Sequence, residues 1–398
     1  MKYKILTFLL NHSLSINRFI FNLFFAWLPV DENKIVLCSH KGYAGYGCNL
    51  KYITEEIIRQ NLPYKLVWLT QQEFINNNEF PPQVKLVDIK NFMACLYELS
   101  TSKLWLDNAN KMQFFKKGLE KKKDQKYLNT WHGSLGIKRI DFAAENFAKN
   151  KNFSYFLTKD INSLDIMLSN SEFENEVYKK SRHFNKRIEK IGHARNDIFF
   201  KNDEILKLSI KNKIGINKDT KILLYVPSFR DNLRIDCYNL NYERLRAILE
   251  NKIGGQWNIL SKFHPKLVNK IEYLTHQSEY QRDVSLYHDI QELLYISDAI
   301  ISDYSSCMFD FMLTRKPCFI YAEDIEQYNN ERGFYYPLEA TPFPIAHNNK
   351  ELEYNILHFD NEKYVKEVDK FLEEKNCVDD GTASVKAVNI IKQIMKQV

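Results

Sequence analysis

Short runs of β-branched, aliphatic and aromatic residues alternate along this chain with longer segments whose apolar positions recur every three or four residues. The runs Lys34–Ser39, Lys65–Thr70, Val84–Ile89, Lys103–Asp107, Leu128–Trp131, Met167–Ser169 and Ile188–Ile191 read as one series of strands. Lys221–Val226, Trp257–Phe263, Ala299–Ser302 and Cys318–Tyr321 read as a second. Leu50–Gln60, Tyr242–Asn251 and Gln291–Ser297 have helical spacing. Strand–helix alternation predicts an α/β class of parallel sheets covered by helices on both faces. Two series predict two doubly wound domains, 31–200 and 201–362, with the lysine-rich stretch Lys201–Thr220 at their junction. The segment 363–398 reads as one or two amphipathic helices around Asp379-Asp380-Gly381. Open parallel sheets bind ligands beyond the carboxyl ends of their strands. Two such sheets facing each other would line a shared cleft, so motifs at strand ends carry the weight.

The amino-terminal segment 1–30 has two apolar runs, Ile5–Leu10 and Phe19–Val30, separated by Asn11–Arg18. Neither reaches the roughly 18–20 apolar residues that span a bilayer. No small-residue cleavage site follows, so no secretory signal is expected. Lys2, Lys4 and Arg18 beside Phe and Leu suit either a helix on a membrane surface or one packed on its own domain.

In 398 residues, hydrophobic side chains make up 44%, which excludes a disordered chain and a polytopic membrane protein. A net charge of +6 suits an anionic substrate or membrane surface and is too small to argue for nucleic acid. The seven cysteines form no CxxC pair, against a zinc site or disulfide framework and in favour of a reducing compartment.

Asn129-Thr130-Trp131-His132-Gly133-Ser134-Leu135-Gly136 follows a strand and precedes Lys138-Arg139. A histidine there can act as general base, and the glycines let backbone N–H groups approach phosphate. A structural loop histidine is the plain alternative. Gly192-His193-Ala194-Arg195-Asn196-Asp197 offers the forked donors of Arg195 to phosphate, or a helix cap. In Pro227-Ser228-Phe229-Arg230-Asp231, Ser228 and Arg230 are candidate phosphate contacts, or parts of a turn. Lys262-Phe263-His264-Pro265 puts Lys262 and His264 at a strand terminus that proline ends. In Ser302-Asp303-Tyr304-Ser305-Ser306-Cys307-Met308-Phe309-Asp310, Ser305 and Ser306 would start a helix over Cys307–Leu313, where free N–H groups attract phosphate. Asp310, one turn inside, would accept from ligand hydroxyls or lie on a solvated face. Arg332, in Glu331-Arg332-Gly333-Phe334-Tyr335-Tyr336, could add positive charge to the cleft. The glycine-bearing Tyr43–Asn49 loop is a weak phosphate signal. There is no DxD, HExxH, GxSxG or Walker A motif, so no metal site or cofactor is expected.

In this order, NTWHGS, GHARND, VPSFRD, KFHP, the run from Glu292 to Asp324 and ERGFYY resemble the CDP-glycerol:poly(glycerophosphate) glycerophosphotransferase family. The resemblance spans about residues 30–340. It implies a GT-B-like fold, two Rossmann-like domains around a cleft, and transfer of a polyol phosphate from a CDP-polyol to an acceptor hydroxyl with release of CMP. It implies that His132 is the general base. It carries donor contacts onto His132, Gly133, Ser134, Leu135, Gly136, Arg195, Pro227, Ser228, Lys262, Phe263, His264, Ser305, Ser306 and Asp310. Three departures stand out: Ser134-Leu135 where the family has Thr-Pro, Ala194 where it has Pro, and Lys262 where Arg is common.

The leading expectation is therefore a metal-free phosphotransferase with His132 and His264 as its catalytic histidines, the second holding the diphosphate with Arg195 and Lys262. A CDP-glycerol or related CDP-polyol donor, a lipid-linked glycan or surface-polymer acceptor (teichoic acid or capsule), and a cytoplasmic place on the inner membrane face complete it. A GT-B glycosyltransferase using a nucleotide-sugar and a non-catalytic membrane-surface scaffold are the alternatives.

Overall fold

The structure is a computed structural model and describes residues 14–77, 79–144, 149–230, 233–264, 267 and 280–396. The first sheet contains β1 (Asp31–Cys38), β2 (Lys65–Thr70), β3 (Val84–Asp88), β4 (Ser102–Asp107), β5 (Lys126–Asn129), β6 (Ile166–Ser169) and β7 (Arg187–Lys190). Every pairing is parallel, in the order β3-β2-β1-β4-β5-β6-β7. The second contains β8 (Lys221–Val226), β9 (Trp257–Ser261), β10 (Gln281–Asp283), β11 (Ala299–Ser302), β12 (Cys318–Tyr321) and β13 (Ile345–Ala346). It too is parallel, in the order β10-β9-β8-β11-β12-β13. All eleven strands expected from the hydrophobic runs are present. The short strands β10 and β13 had no apolar run to announce them.

Central strands such as β4, β6 and β11 are buried along their whole length. That explains why they read as unbroken apolar runs rather than alternating ones. In each sheet the strand order reverses beside the first strand, between β1 and β4 and between β8 and β11. The crevice outside the carboxyl ends at such a reversal is where open α/β sheets bind ligands. Three hydrophobic clusters fill the molecule, and the largest runs without a break from Ile35 and Leu104 in the first sheet to Ile300 and Ile320 in the second.

The stretch Lys201–Thr220 holds the helix Glu204–Lys213, so the junction is structured rather than a bare linker. The carboxy-terminal region forms helices Asn361–Glu374 and Ala383–Lys396. The last one packs back onto the first domain, against the helix Cys48–Arg59. Its Ala387, Val388, Ile391 and Ile394 are buried at helical spacing. Asp197 of that same domain caps it: its two carboxylate oxygens accept from the N–H groups of Ala383 (3.0 Å) and Ser384 (2.7 Å). Residues 1–13, with the first apolar run of the amino-terminal segment, lie outside the described residues, whereas residues 14–24 are helical.

Replacing Asp197 by Ala removes both acceptors from a buried helix start, and a loss of about 1–2 kcal/mol is expected. Denaturant unfolding checks this; a change below about 0.3 kcal/mol would deny the cap its stabilising part.

Candidate active site

Loops after β1, β4 and β5 meet at the reversal point of the first sheet. His132 follows β5, on a turn that opens with Trp131 in the left-handed region (φ 54°). Its Nδ1 lies 2.6 Å from the carbonyl oxygen of Asn108, which follows β4. A carbonyl only accepts, so Nδ1 carries the proton and Nε2 keeps its lone pair. The His132 ring lies 4.5 Å from that of Trp131, tilted by 34°, and the buried Arg182 guanidinium sits 4.7 Å from the same indole. Burial pulls the His132 pKa down to about 4, against the Asn108 hydrogen bond and with the help of Arg195 and Arg182. The imidazole is thus neutral at pH 7 and able to take a proton. His40, which follows β1, lies 4.9 Å away ring to ring.

The second sheet supplies the opposing loops. Pro227 and Ser228 follow β8, Lys262–His264 follow β9, and Asp303–Ser306 follow β11. Asp303 ties two of them together by accepting from the Ser228 N–H (2.8 Å) and from Arg230 (2.9 Å). His264 stacks on Phe229 at 4.3 Å, and the Arg332 guanidinium sits 5.8 Å from the same ring.

The loop Gly133–Arg139 runs along this opposing face. A Cβ on Gly136 would lie 3.3 Å from Cβ of Ser306, so the lobes come close here and a larger residue would press on Ser306. Lys138 Nζ reaches Ser228 Oγ at 3.4 Å. Lys138 also bridges Phe334 in antiparallel fashion, and the Arg139 N–H donates to Gly333 O at 3.0 Å. Tyr336 donates its hydroxyl to Leu135 O. The ERGFYY segment therefore clamps the loop that bears His132.

Several expected donor contacts have protein partners in this structure. Arg195 and Asp310, each placed on the donor by the sequence, form a buried pair with each other across the lobes: Nε to Oδ2 is 2.9 Å and Nη2 to Oδ1 is 3.1 Å. Arg195 Nη2 also donates to Gly133 O at 2.8 Å, and Gln291 donates to Asp310 at 3.1 Å. Burial opposes the Arg195 charge, but Asp310 outweighs it and keeps the guanidinium protonated. Arg230 is 4% exposed, paired with Asp303 and Asp324 and set among Tyr238, Tyr304 and Tyr328. The side chains of Leu135 and Phe263 lie in the hydrophobic cores. Ser134 Oγ accepts from Asn170 at 3.0 Å. Lys262 Nζ donates to the carbonyls of Tyr287 (2.6 Å) and Ser285 (3.2 Å), and burial brings its pKa down to about 8 against the pull of Asp289 and Asp283. The helix at Ser306 is short, Cys307–Phe311, before it tightens to a 3-10 turn at Met312–Thr314. The N–H groups of Cys307, Met308 and Phe309 already lie against Ser305 Oγ (3.5 Å), Ser305 O (3.4 Å) and Ser306 O (3.1 Å), and little macrodipole stands behind them.

His40, Asn108 and Asp303 were not assigned roles from sequence. The first two each follow a strand, in SHKG and LDNAN, and strand-end polarity was the available signal. A cavity of about 1050 Å³ beside β10 is lined by none of the candidate site residues. Its wall sets Glu55, Glu79, Asp283, Asp289 and Glu292 against Lys51, Lys213 and Arg282, and Lys51 is paired with Asp289 (2.8 Å) and Glu292 (2.5 Å). Such a wall does not attract a diphosphate.

A model of the family described as CDP-Glycerol:Poly(glycerophosphate) glycerophosphotransferase matches residues 20–393. The teichoic acid poly(glycerol phosphate) polymerase of Bacillus spizizenii is 29% identical over 375 residues, 91% of this chain and 92% of the relative. The teichoic acid glycerol-phosphate transferase of Staphylococcus aureus is 27% identical over 350 residues, covering 83% and 85%. The chain spans about half (51%) of a longer polymerase from Staphylococcus epidermidis. The solved structure of the wall teichoic acid polymerase TagF superposes with a TM-score of 0.81 at 26% identity, over 99% of this chain and 96% of that one. A histidine variant of TagF soaked with CDPG superposes equally well.

Replacing Arg195 or Asp310 singly by Ala strands a buried charge, and a loss of about 3–5 kcal/mol is expected. The double variant Arg195→Met with Asp310→Leu should recover much of it. Denaturant midpoints decide; single variants within about 0.5 kcal/mol of wild type would show that the pair does not hold the lobes together.

Proposed function

The chain belongs to the CDP-glycerol:poly(glycerophosphate) glycerophosphotransferase family, and we propose that it transfers glycerol phosphate from CDP-glycerol to the terminal hydroxyl of a teichoic acid chain, releasing CMP. The observation that carries this reading is His132: a neutral imidazole with its tautomer fixed by Asn108, on a loop laid against the strand-end loops of the opposing lobe. The CDPG soak of the TagF variant supports the donor, and the relatives' names support the acceptor.

In the reaction, the acceptor oxygen bonds to the phosphorus that carries glycerol, and the bond from that phosphorus to the bridging oxygen breaks. CMP leaves with the electron pair, and the hydroxyl proton passes to Nε2 of His132. Phosphoryl transfer of this kind is governed by positioning and charge stabilisation. The backbone N–H groups of Gly133, Ser305 and Ser306 and the hydroxyls of Ser228, Ser305 and Ser306, with His264 and Arg332, receive the diphosphate and the charge growing on CMP, while Ser134, Gly136 and Pro227 shape the loops that carry them. Arg195, Asp310, Arg230 and Lys262 hold those loops in place. Leu135 and Phe263 anchor them in the cores.

No helix among the described residues is long and apolar enough to cross a membrane. The helix over 14–24 buries Phe21 and turns Phe19 (67% exposed), Leu23 and Phe24 outward, with Trp27 (70% exposed) just after it. An apolar, aromatic face of this kind suits the interfacial layer of a bilayer. We place the enzyme on the inner membrane face, where a cytosolic CDP donor and a lipid-linked acceptor meet.

His132→Ala should lower the rate of CMP release from CDP-glycerol about 10²–10⁴-fold, the usual share of a general base. In the wild type, the acid limb of kcat/KM reports the free enzyme and should fall well below pH 6.5, because the His132 pKa is depressed and its neutral form persists down to about pH 4. The kcat limb should lie higher, since a bound diphosphate favours the imidazolium. Turnover by His132→Ala within threefold of wild type removes it from the base role. Separately, Phe19→Glu with Leu23→Glu should release the protein from anionic vesicles in a sedimentation assay while leaving its thermal unfolding midpoint unchanged. Undiminished vesicle binding would reject this face.

A further inference from the structure

We propose that His40 is a second histidine in contact with substrate: its Nε2–H donates to a non-bridging oxygen of the phosphoryl group under attack, beside the His132 base, and Asn108 sets the two rings for these opposite duties. The inference rests on the reading of the site as a glycerophosphotransferase.

His40 follows β1 and Asn108 follows β4, the two strands between which the first sheet reverses its order. His40 (φ 46°) and Lys41 (φ 62°) are consecutive non-glycine residues in the left-handed region. Each such residue costs on the order of 1–3 kcal/mol and persists only where its surroundings over-determine it. Here the determinant is Asn108. Its Oδ1 accepts from the backbone N–H of His40 at 2.7 Å, which fixes which way the amide faces. Its Nδ2 then donates to Ser39 Oγ at 3.1 Å and to His40 Nδ1 at 3.2 Å. Ser39 Oγ also lies 3.1 Å from that Nδ1. An amide nitrogen only donates, so Nδ1 accepts from Asn108, and the Ser39 hydroxyl can turn its own proton to it. A neutral imidazole has one proton, which therefore sits on Nε2. The ring is neutral because burial, with His132 and Arg195 nearby, brings its pKa down to about 3.

The same residue does the reverse to His132. The Asn108 backbone carbonyl accepts from Nδ1 at 2.6 Å and leaves Nε2 as an acceptor. Two neutral rings, 4.9 Å apart and tilted by 53°, thus present one acceptor and one donor. Both residues are half-buried. The acceptor nitrogen suits the attacking hydroxyl. The donor nitrogen suits the adjacent phosphoryl group, whose equatorial oxygens carry the transition-state charge. A histidine that only filled space would need no fixed tautomer and no strained turn.

The test has two readouts. Long-range ¹H–¹⁵N correlation spectra of the ¹⁵N-histidine-labelled full chain should show His40 protonated on Nε2 and His132 on Nδ1. Asn108→Ala should abolish the single His40 tautomer. With CDP-glycerol and a glycerol-phosphate acceptor, His40→Ala should lower kcat roughly 10–100-fold with the donor KM within about threefold. His40→Asn, which tolerates the left-handed backbone and keeps an N–H donor, should recover about tenfold of that loss. A proton on Nδ1 of His40, a His40→Ala kcat within threefold of wild type, or equal losses in both variants would overturn the proposal. A wild-type chain that releases no CMP defeats the transferase reading and this inference with it. An active wild type with an unaffected His40→Ala defeats this inference alone.

Discussion

The contact on which the rest depends is the buried pair of Arg195 and Asp310. A guanidinium and a carboxylate removed from water each lose several kcal/mol of solvation, which only a close, well-satisfied partner offsets. Here the two sides of the pair come from different lobes, so satisfying the charges fixes the lobes relative to each other. The same guanidinium donates to the Gly133 carbonyl, next to the base, while Asp310 lies on the helix that begins at Ser306. One set of hydrogen bonds therefore registers the loop that bears the base against the loop that faces it. Around it, the Lys138–Phe334 bridge and the Lys51 ion pairs with Asp289 and Glu292 repeat the arrangement at other points of the seam. A cleft fastened in this way presents its groups in one geometry before substrate arrives, which is what catalysis by positioning requires.

Strand order explains why the chemistry gathers where it does. Reversal beside β1 and beside β8 opens a crevice at the carboxyl end of each sheet, and the loops just after the nearby strands are the ones that border it. In the first lobe they carry His40, Asn108 and His132; in the second, Ser228 and Ser305. Arg230, though it sits in a strand-end motif, turns away from the crevice because Asp303 and Asp324 claim both of its edges. Position at a strand end brings a side chain near the site. Its neighbours decide whether it faces substrate.

That distinction also separates what the sequence made legible from what it did not. The strands of both lobes were readable because parallel, doubly covered strands must be apolar throughout, as in Ile222–Val226 and Ala299–Ser302. The fold and family followed from motifs at their ends. β10, with the sequence Gln281-Arg282-Asp283, and the two-residue β13 lie at sheet edges and carry no such signature. The pairing of Arg195 with Asp310 joins residues 115 positions apart, and nothing local in either motif announces a partner. His40 escaped notice because a left-handed backbone is normally advertised by glycine or asparagine, whereas here Asn108, 68 positions away, supplies the stabilisation.

These features join in the electrostatics of the base. Burial and the nearby cations Arg195 and Arg182 make an imidazolium at His132 unfavourable in the empty cleft, so the ring waits there as a neutral, weak base. The donor brings negative charge on its diphosphate. Placed beside His132, that charge opposes the cations and favours the protonated ring, so the substrate strengthens the group that must take its partner's proton. The base is thus least basic when no donor is bound and most basic when attack is possible. Arg195 contributes twice to this behaviour: its pairing with Asp310 sets the geometry, and its guanidinium charge near His132 opposes protonation of the imidazole. A lobe fastening made of apolar side chains could supply the first effect and not the second.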